Sequence, residues 1–405
     1  MESSIYRLRT QDVLVLVVMS LLILGVIMVQ SAASTVTNSG GWGWSTAGTK
    51  QLAFAAASLA VFLIVGRLDY AWLKAGPSTK LGAGSMLRSP VLWICVIAVV
   101  TNLIVMVPHI GKSINGARRW LPLGPLSFEP SELAKWAAVL YVCYLLTRRP
   151  VDMDKFFKGF LPAMGPVALL CLLVVIQDYG TATLIALCCL TMLLAGRVRM
   201  RYLLVLIPPA LAAAAWFLMH KQYRMRRLLA FENPYADPQN QGYHMIQSLL
   251  SFSTGGLSGR GLGNGIQKLG YLPEDTTDFI FSVICEELGL CGALLTAALY
   301  LGLIYVAWQT MREKKDDFGR MMAFGICAMV SLQAVINIAV ATVSVPTKGL
   351  SLPLISSGGS GLIITSAALG LMLSVCRHGV EEGSAKGDPS AVPDAQLVPV
   401  AIPPV

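Results

Sequence analysis

Acidic residues are scarce in this chain, 22 among 405, so the places where they gather are the first to examine for chemistry. Glu274, Asp275 and Asp278 gather in Tyr271-Leu272-Pro273-Glu274-Asp275-Thr276-Thr277-Asp278-Phe279, directly ahead of a long apolar run. Pro273 ends any helix before it, so Thr277 or Asp278 is predicted at the N-cap of the next one. A capping aspartate accepts hydrogen bonds from free N–H groups and feels the positive helix end, which favours its ionised form. An ionised carboxylate is also what a general base must be, provided it lies within about 2.6–3.2 Å of the proton it takes. Spacing alone leaves both roles open. Glu286 and Glu287 follow two turns further on, inside the apolar run, where carboxylates are costly unless paired or facing a wet cavity.

A second group stands in Ser127-Phe128-Glu129-Pro130-Ser131-Glu132-Leu133-Ala134-Lys135. Pro130 and Ser131 are helix-start residues, and Glu132 with Lys135 makes an i, i+3 pair. As a surface pair it would be worth only a few tenths of a kcal/mol, a weak reason to bring two charges to a membrane boundary. A ligand headgroup is a stronger one. Asp178, in Gln177-Asp178-Tyr179-Gly180-Thr181, reads first as a turn-forming residue. The basic residues that matter for chemistry are clustered: Lys112, Arg118 and Arg119, then Lys221, Arg224, Arg226, Arg227, Arg260 and Lys268. Guanidinium clusters suit a diphosphate, whose oxygens arginine binds bidentately; bulk anionic lipid is the blander ligand.

Several classes are disfavoured. The four histidines (109, 220, 244 and 378) are scattered, with no local hydrolase motif around them. The nine cysteines sit in or beside apolar runs without metal-ligand spacing and read as packing residues. Gly255 to Gly265 lacks the order of a P-loop, which disfavours a nucleotide-driven pump. The outer carboxylates could hold a divalent cation, but no spacing specifies one. Apart from that, no cofactor is expected.

The elements that must position these groups follow from composition. With 55% hydrophobic and 13% charged residues, the chain is expected to be an all-α integral membrane protein. Apolar segments run at about 13–33, 51–66, 90–108, 131–146, 161–177, 181–195, 202–219, 279–308, 321–345 and 360–376, ten predicted transmembrane helices. The first resembles a signal peptide but is long for one, and nine spans follow, so it is expected to remain as an anchor. An N-in, C-in topology places 19 basic residues inside and 11 outside, with Lys135 at a helix mouth, as the positive-inside rule requires. The predicted organisation is a cytoplasmic N-terminus (1–12), a membrane domain (13–378) with a large outer loop (220–278) between helices seven and eight, and a disordered cytoplasmic tail (379–405). A loop that long is uncommon and usually functional. The net charge of +9 then needs no nucleic acid to explain it.

Four stretches together resemble the SEDS family (shape, elongation, division and sporulation) of cell-wall glycosyltransferases. They are Asn115-Gly116-Ala117-Arg118-Arg119-Trp120 with Ser127 to Lys135; Asp178-Tyr179-Gly180-Thr181; Phe231-Glu232-Asn233-Pro234 through Gly242-Tyr243 and Gln247-Ser248 to Asp278-Phe279-Ile280-Phe281; and Pro346-Thr347-Lys348-Gly349 to Gly358-Gly359-Ser360. They span most of the chain in the family's order. Gly261-Leu262-Gly263-Asn264 and Pro346-Thr347-Lys348-Gly349 look more like the division (FtsW) and sporulation (SpoVE) branch than the elongation (RodA) branch.

The resemblance implies a lipid II polymerase of the bacterial cytoplasmic membrane, acting on its outer face at the division septum. Asp278 would be the catalytic base. Arg118, Arg119, Glu132, Lys135, Arg224, Arg227, Gln247, Lys268, Glu274, Thr277, Lys348 and Ser360 would bind substrate. It also implies partners: a class B penicillin-binding protein and other division proteins. Two departures stand out. Asp275 and Thr276 replace the usual Ala-His, and Ser356-Ser357-Gly358-Gly359-Ser360-Gly361 replaces Ser-Tyr-Gly-Gly-Ser-Ser. Two rival functions share the composition: a lipid II flippase, for which charges inside helices are also needed, and a non-catalytic division scaffold.

Overall fold

The computed structural model describes residues 9–34, 45–74, 89–114, 117–124, 126–148, 155–219, 222–240 and 242–384. Most of the expected N-terminus and tail, the loop 35–44 and Lys221 lie outside them. Twelve helices carry the fold: α1 (Thr10–Ala32), α2 (Thr46–Val65), α3 (Pro90–Met106), α4 (Pro130–Arg148), α5 (Gly165–Gln177), α6 (Tyr179–Ala195), α7 (Met200–Met219), α8 (Gln222–Glu232), α9 (Tyr243–Gly255), α10 (Ile280–Glu313), α11 (Asp317–Ala341) and α12 (Ser360–Ser384). All but α8 and α9 coincide with the ten apolar segments of the sequence. By length and composition five helices suffice to cross a bilayer among the described residues, namely α1, α2, α10, α11 and residues 360–378 of α12. They become six if Phe156–Ala163 and α5, bent by 46° at their junction, form one span.

Burial follows the sequence patterning. From Ala134 to Leu145 every residue of α4 is buried, Lys135 included, and from Trp136 on the helix is apolar on nearly every side, as a helix at the centre of a bundle must be. It is surrounded by α3, α5, α6 and α11, while α1, α2, α10 and α12 form a second packed group. Leucines and isoleucines such as Leu16, Ile23, Ile97, Leu204 and Leu294 stay exposed on the outside of the bundle, where lipid tails would be their solvent.

Four features depart from the sequence reading. A three-stranded antiparallel sheet, β1 (Lys112–Ile114), β2 (Ala117–Leu123) and β3 (Leu126–Phe128), lies between α3 and α4. The 220–278 loop is largely structured, holding α8, α9 and a short 3-10 turn at Pro234–Ala236. Helix α12 continues to Ser384, into the stretch expected to be a tail. The apolar run read as one straight span is broken at Gly289, with φ 64° and ψ −155°, a conformation essentially restricted to glycine.

The break has a visible cause. Helix α10 meets the 256–261 turn there so closely that a Cβ on Gly289 would stand 2.3 Å from the Gly259 nitrogen. The carbonyls of Glu286 and Glu287 accept from the N–H groups of Arg260 (3.0 Å) and Gly261 (2.9 Å), and Leu290 N–H donates to Gly256 at 3.0 Å. The backbone groups at the kink are thus paired inside the protein, which an apolar environment requires.

Candidate active site

The turn holding Asp278 is fixed by its own backbone. Thr277 and Phe279 both donate N–H to the Glu274 carbonyl, at 3.2 and 3.1 Å, and Thr277 Oγ1 donates to Glu274 Oε2 at 2.7 Å. Glu274 adopts φ 57°, as the reversal after Pro273 demands. The N-cap of α10 is Phe279, with no side-chain cap bond, so the capping role expected for Thr277 or Asp278 is not taken by either. The Asp278 carboxylate has no hydrogen-bond partner among the described residues and remains available.

Asp278 is also tied to the segment after α11. Ser356 Oγ donates to the Thr277 carbonyl at 2.6 Å, and Ser357 N–H donates to the Thr276 carbonyl at 2.8 Å. Gly349 comes so near that a Cβ would lie 3.2 Å from Asp278 Oδ2, so the backbone of the segment that carries Lys348 packs against the turn. Burial raises the Asp278 pKa from 3.8 to about 7, helped by the charges of Glu274 and Asp178 and opposed by Arg227 and Arg119. Burial likewise lifts Asp275 to about 6.

Arg119 reaches the site from β2. Its Nε donates to the Gln177 carbonyl at 3.0 Å, and its Nη1 lies 3.8 Å from Asp178 Oδ2. Asp178 caps α6, accepting from Gly180 N–H at 2.9 Å and from Thr181 Oγ1 at 2.7 Å. Lys348 Nζ sits 5.4 Å from the Tyr179 ring centroid, and burial lowers its pKa against the opposing pull of Asp178. Asp278, Glu274, Thr277, Arg119, Arg227 and Lys348 therefore converge, with Asp178 as an added member. Arg118, the next residue along β2, is exposed.

The other expected site residues lie elsewhere or deeper. Lys135 is fully buried, pairing with Glu132 at 2.8 Å and donating to Gln333 Oε1 at 2.8 Å. Lys268 is buried in an ion pair with Glu287 at 2.9 Å and donates to Ser31 Oγ at 3.1 Å. Glu286 accepts from the N–H groups of Ile266 (2.9 Å) and Gln267 (3.2 Å), and Glu287 from that of Gly263 (3.1 Å). The two helix glutamates are therefore satisfied by pairing. Ser360 Oγ accepts from Glu129 N–H at 3.1 Å. Gln247 engages Ser251 Oγ through its backbone carbonyl, and the Arg224 side chain lies outside the described residues. Among the described residues no three His, Cys, Asp or Glu side chains gather as a metal site.

Sequence reasoning missed Glu129, Gln333, Asn337 and Ser356. Burial, with Glu132 next in effect, raises Glu129 to about 7. For Gln333 and Asn337 a signal existed: two amides spaced i, i+4 inside an apolar helix need internal partners. For Ser356 the signal was its place at the head of the Ser356 to Gly361 stretch, where the family resemblance keeps a serine.

A multi-pass helical membrane protein whose extramembrane turns present one unbonded carboxylate to arginine and lysine side chains is the class that fold and site define. The chain belongs to the FtsW/RodA/SpoVE family of cell cycle proteins, whose family model matches residues 11–381. It is 37% identical over 369 residues to the probable peptidoglycan glycosyltransferase FtsW of Geobacter metallireducens, covering 91% of this chain and 94% of that one. It is 42% identical over 280 residues to the protein of the same description from Nitrosococcus halophilus, covering 67% and 71%. Its fold is similar to a chain solved under the description "Structural coordination of polymerization and crosslinking by a peptidoglycan synthase complex", with TM-score 0.69, 27% identity, and coverage of 90% of this chain and 97% of that one. The rod shape determining protein RodA of Thermus thermophilus matches with TM-score 0.62 and 26% identity, covering 90% and 95%.

Proposed function

We propose that this protein is a peptidoglycan glycosyltransferase of cell division that polymerises lipid II. The observation that carries the reading is the Asp278 carboxylate: freed from capping, held in a hydrogen-bonded turn, and acted on by the charges of Arg119 and Arg227, with Lys348 beside the neighbouring Asp178. Asp278 takes the proton of the 4-hydroxyl of the acceptor GlcNAc. That oxygen attacks C1 of the donor MurNAc, the bond from C1 to the diphosphate oxygen breaks, and undecaprenyl diphosphate leaves with the electron pair. Negative charge grows on the leaving diphosphate, where preorganised cations act most strongly. Arg119, Arg227 and Lys348 supply that role.

Glu132, Lys135 and Lys268 act through the framework, since their charges are already paired internally. The site opens on the outer face, in an N-in, C-in arrangement of ten spans, at the septum. The partner is a class B penicillin-binding protein that crosslinks the strands, as the fold's similarity to a synthase complex supports. A flippase reading draws on charges within helices, but Glu286, Glu287 and Lys135 all have fixed internal partners.

The test supplies lipid II to the purified protein and its partner in detergent, where no transbilayer step exists. Wild type is expected to form glycan strands and Asp278→Ala none. Equal polymerisation by both would remove Asp278 from the mechanism, and lipid scrambling in vesicles without polymerisation would favour the flippase.

A further inference from the structure

Gln333 and Asn337 lie one turn apart on one face of α11, and both are almost completely buried, at 5% and 1% exposure. Their bonds fix which way each amide points. Gln333 Oε1 accepts from Lys135 Nζ at 2.8 Å, and since an ammonium only donates, Nε2 must face the other way, where it donates to the Ser351 carbonyl at 2.8 Å. Asn337 Nδ2 donates to two carbonyls, that of Asp278 at 2.8 Å and that of Leu350 at 2.7 Å. Its Oδ1 is buried without a partner among the described residues. Turning the amide over would set that oxygen against two carbonyl oxygens and leave both unsatisfied, so the bridging orientation is the less costly one.

The bridged carbonyls belong to the base itself and to the second residue after Lys348. From the opposite end of the same segment, Ser356 and Ser357 hold Thr277 and Thr276. The catalytic turn and the segment carrying Lys348 are thereby one unit, and Asn337 is the side chain that reaches both halves from a rigid helix.

We propose that Asn337 is a positioning residue for glycan polymerisation, setting the Asp278 carboxylate relative to Lys348, with Gln333 and Lys135 steadying the same segment one turn away. The proposal rests on the polymerase reading. It matters for rate because small displacements of a reacting group carry large penalties, up to about a hundredfold for 1 Å.

The experiment compares full-length wild type with Asn337→Leu, which removes both donors without adding charge, in the lipid II assay and by hydrogen exchange. For Asn337→Leu, kcat per folded molecule falls by about tenfold to a hundredfold while KM stays within about twofold. The amides of Leu352 and Ser357, which donate to Ser356 Oγ and the Thr276 carbonyl, exchange faster. The acidic limb of the pH profile stays in place, because Glu274, Asp178, Arg227 and Arg119 still face Asp278. Wild-type kcat in folded Asn337→Leu overturns the proposal, as does a loss of activity that only tracks the loss of folded protein. If Asn337→Leu is not recovered folded, Ser356→Ala decides: lower kcat at unchanged KM supports the proposal, and wild-type kcat overturns it. A wild type that forms no glycan sinks the polymerase reading instead, and the exchange of Leu352 and Ser357 then decides the positioning alone.

Discussion

Asp278 carries opposite demands in folding and in catalysis. Its pKa in the folded protein is raised to about 7, first by burial and then by Glu274 and Asp178. An acid raised in this way contributes stability below its unfolded value, near 3.8, and that contribution is lost as pH rises towards 7. At neutral pH the ionised group therefore works against the fold, and Asp278→Asn is expected to unfold at a higher temperature while losing polymerisation. The gain should be on the order of 1 kcal/mol, since a tenfold change in proton affinity corresponds to ~1.4 kcal/mol and solvent screens part of it. For the rate the sign is reversed: only the ionised form accepts a proton, so kcat/KM is expected to climb with pH up to about 7. Arg119→Gln removes a charge that holds this pKa down and should move the limb to higher pH, measurable as a displaced half-maximal point. The motif in the sequence identified Asp278 and its acidic neighbours. It did not reveal that Phe279, and not Asp278, begins the helix, because one residue of offset depends on how the turn packs against Ser356 and Ser357.

At the scale of elements, three residues expected to meet substrate, Glu132, Lys135 and Lys268, sit in internal ion pairs. Lys268 and Glu287 join the loop after α9 to α10, with Ser31 of α1 as third member. Removing one partner of a buried pair leaves an uncompensated charge and costs about 3–5 kcal/mol. Lys268→Met is thus expected to lower the thermal unfolding temperature strongly, and Lys268→Met with Glu287→Gln to recover much of the loss, read by unfolding in detergent. Gly289→Ala meets both a forbidden backbone angle and the Gly259 nitrogen, and is expected to abolish recovery of folded protein in the same measurement. The sequence located these charges but could not tell a brace from a binding site. Both uses need a paired charge inside an apolar run, and only the three-dimensional approach of Ser31 and the 263–267 backbone separates them.

For the whole molecule, hydropathy located ten helices to within a few residues of most ends, because a sustained apolar run leaves the backbone few alternatives to a helix. The elements it missed, β1–β3, α8 and α9, are polar or amphipathic, and nothing in their composition separates them from ordinary loop. The inside-out assignment rests on charge asymmetry and is open to direct measurement. In a cysteine-free background, Ser258→Cys is expected to react with a membrane-impermeant maleimide added to intact spheroplasts, and Lys315→Cys only after lysis. The reverse pattern would overturn the N-in orientation and with it the outer location of the site.

The grip of Glu286 and Glu287 on the 260–267 stretch is made through main-chain N–H groups: those of Gly263, Ile266 and Gln267 to the carboxylates, and those of Arg260 and Gly261 to the helix carbonyls. A hold of this kind does not read the side chains it holds. Residues such as Arg260, Asn264 and Ile266 are free to change identity while the ribbon stays in place, so long as each keeps its N–H and the tight approaches stay glycine. The stretch is therefore a surface on which recognition can diversify between related enzymes without renegotiating the fold. A saturation library across 260–267 is expected to show broad tolerance except at proline substitutions, at Gly261, Gly263 and Gly265, and at Gln267, whose side chain is buried.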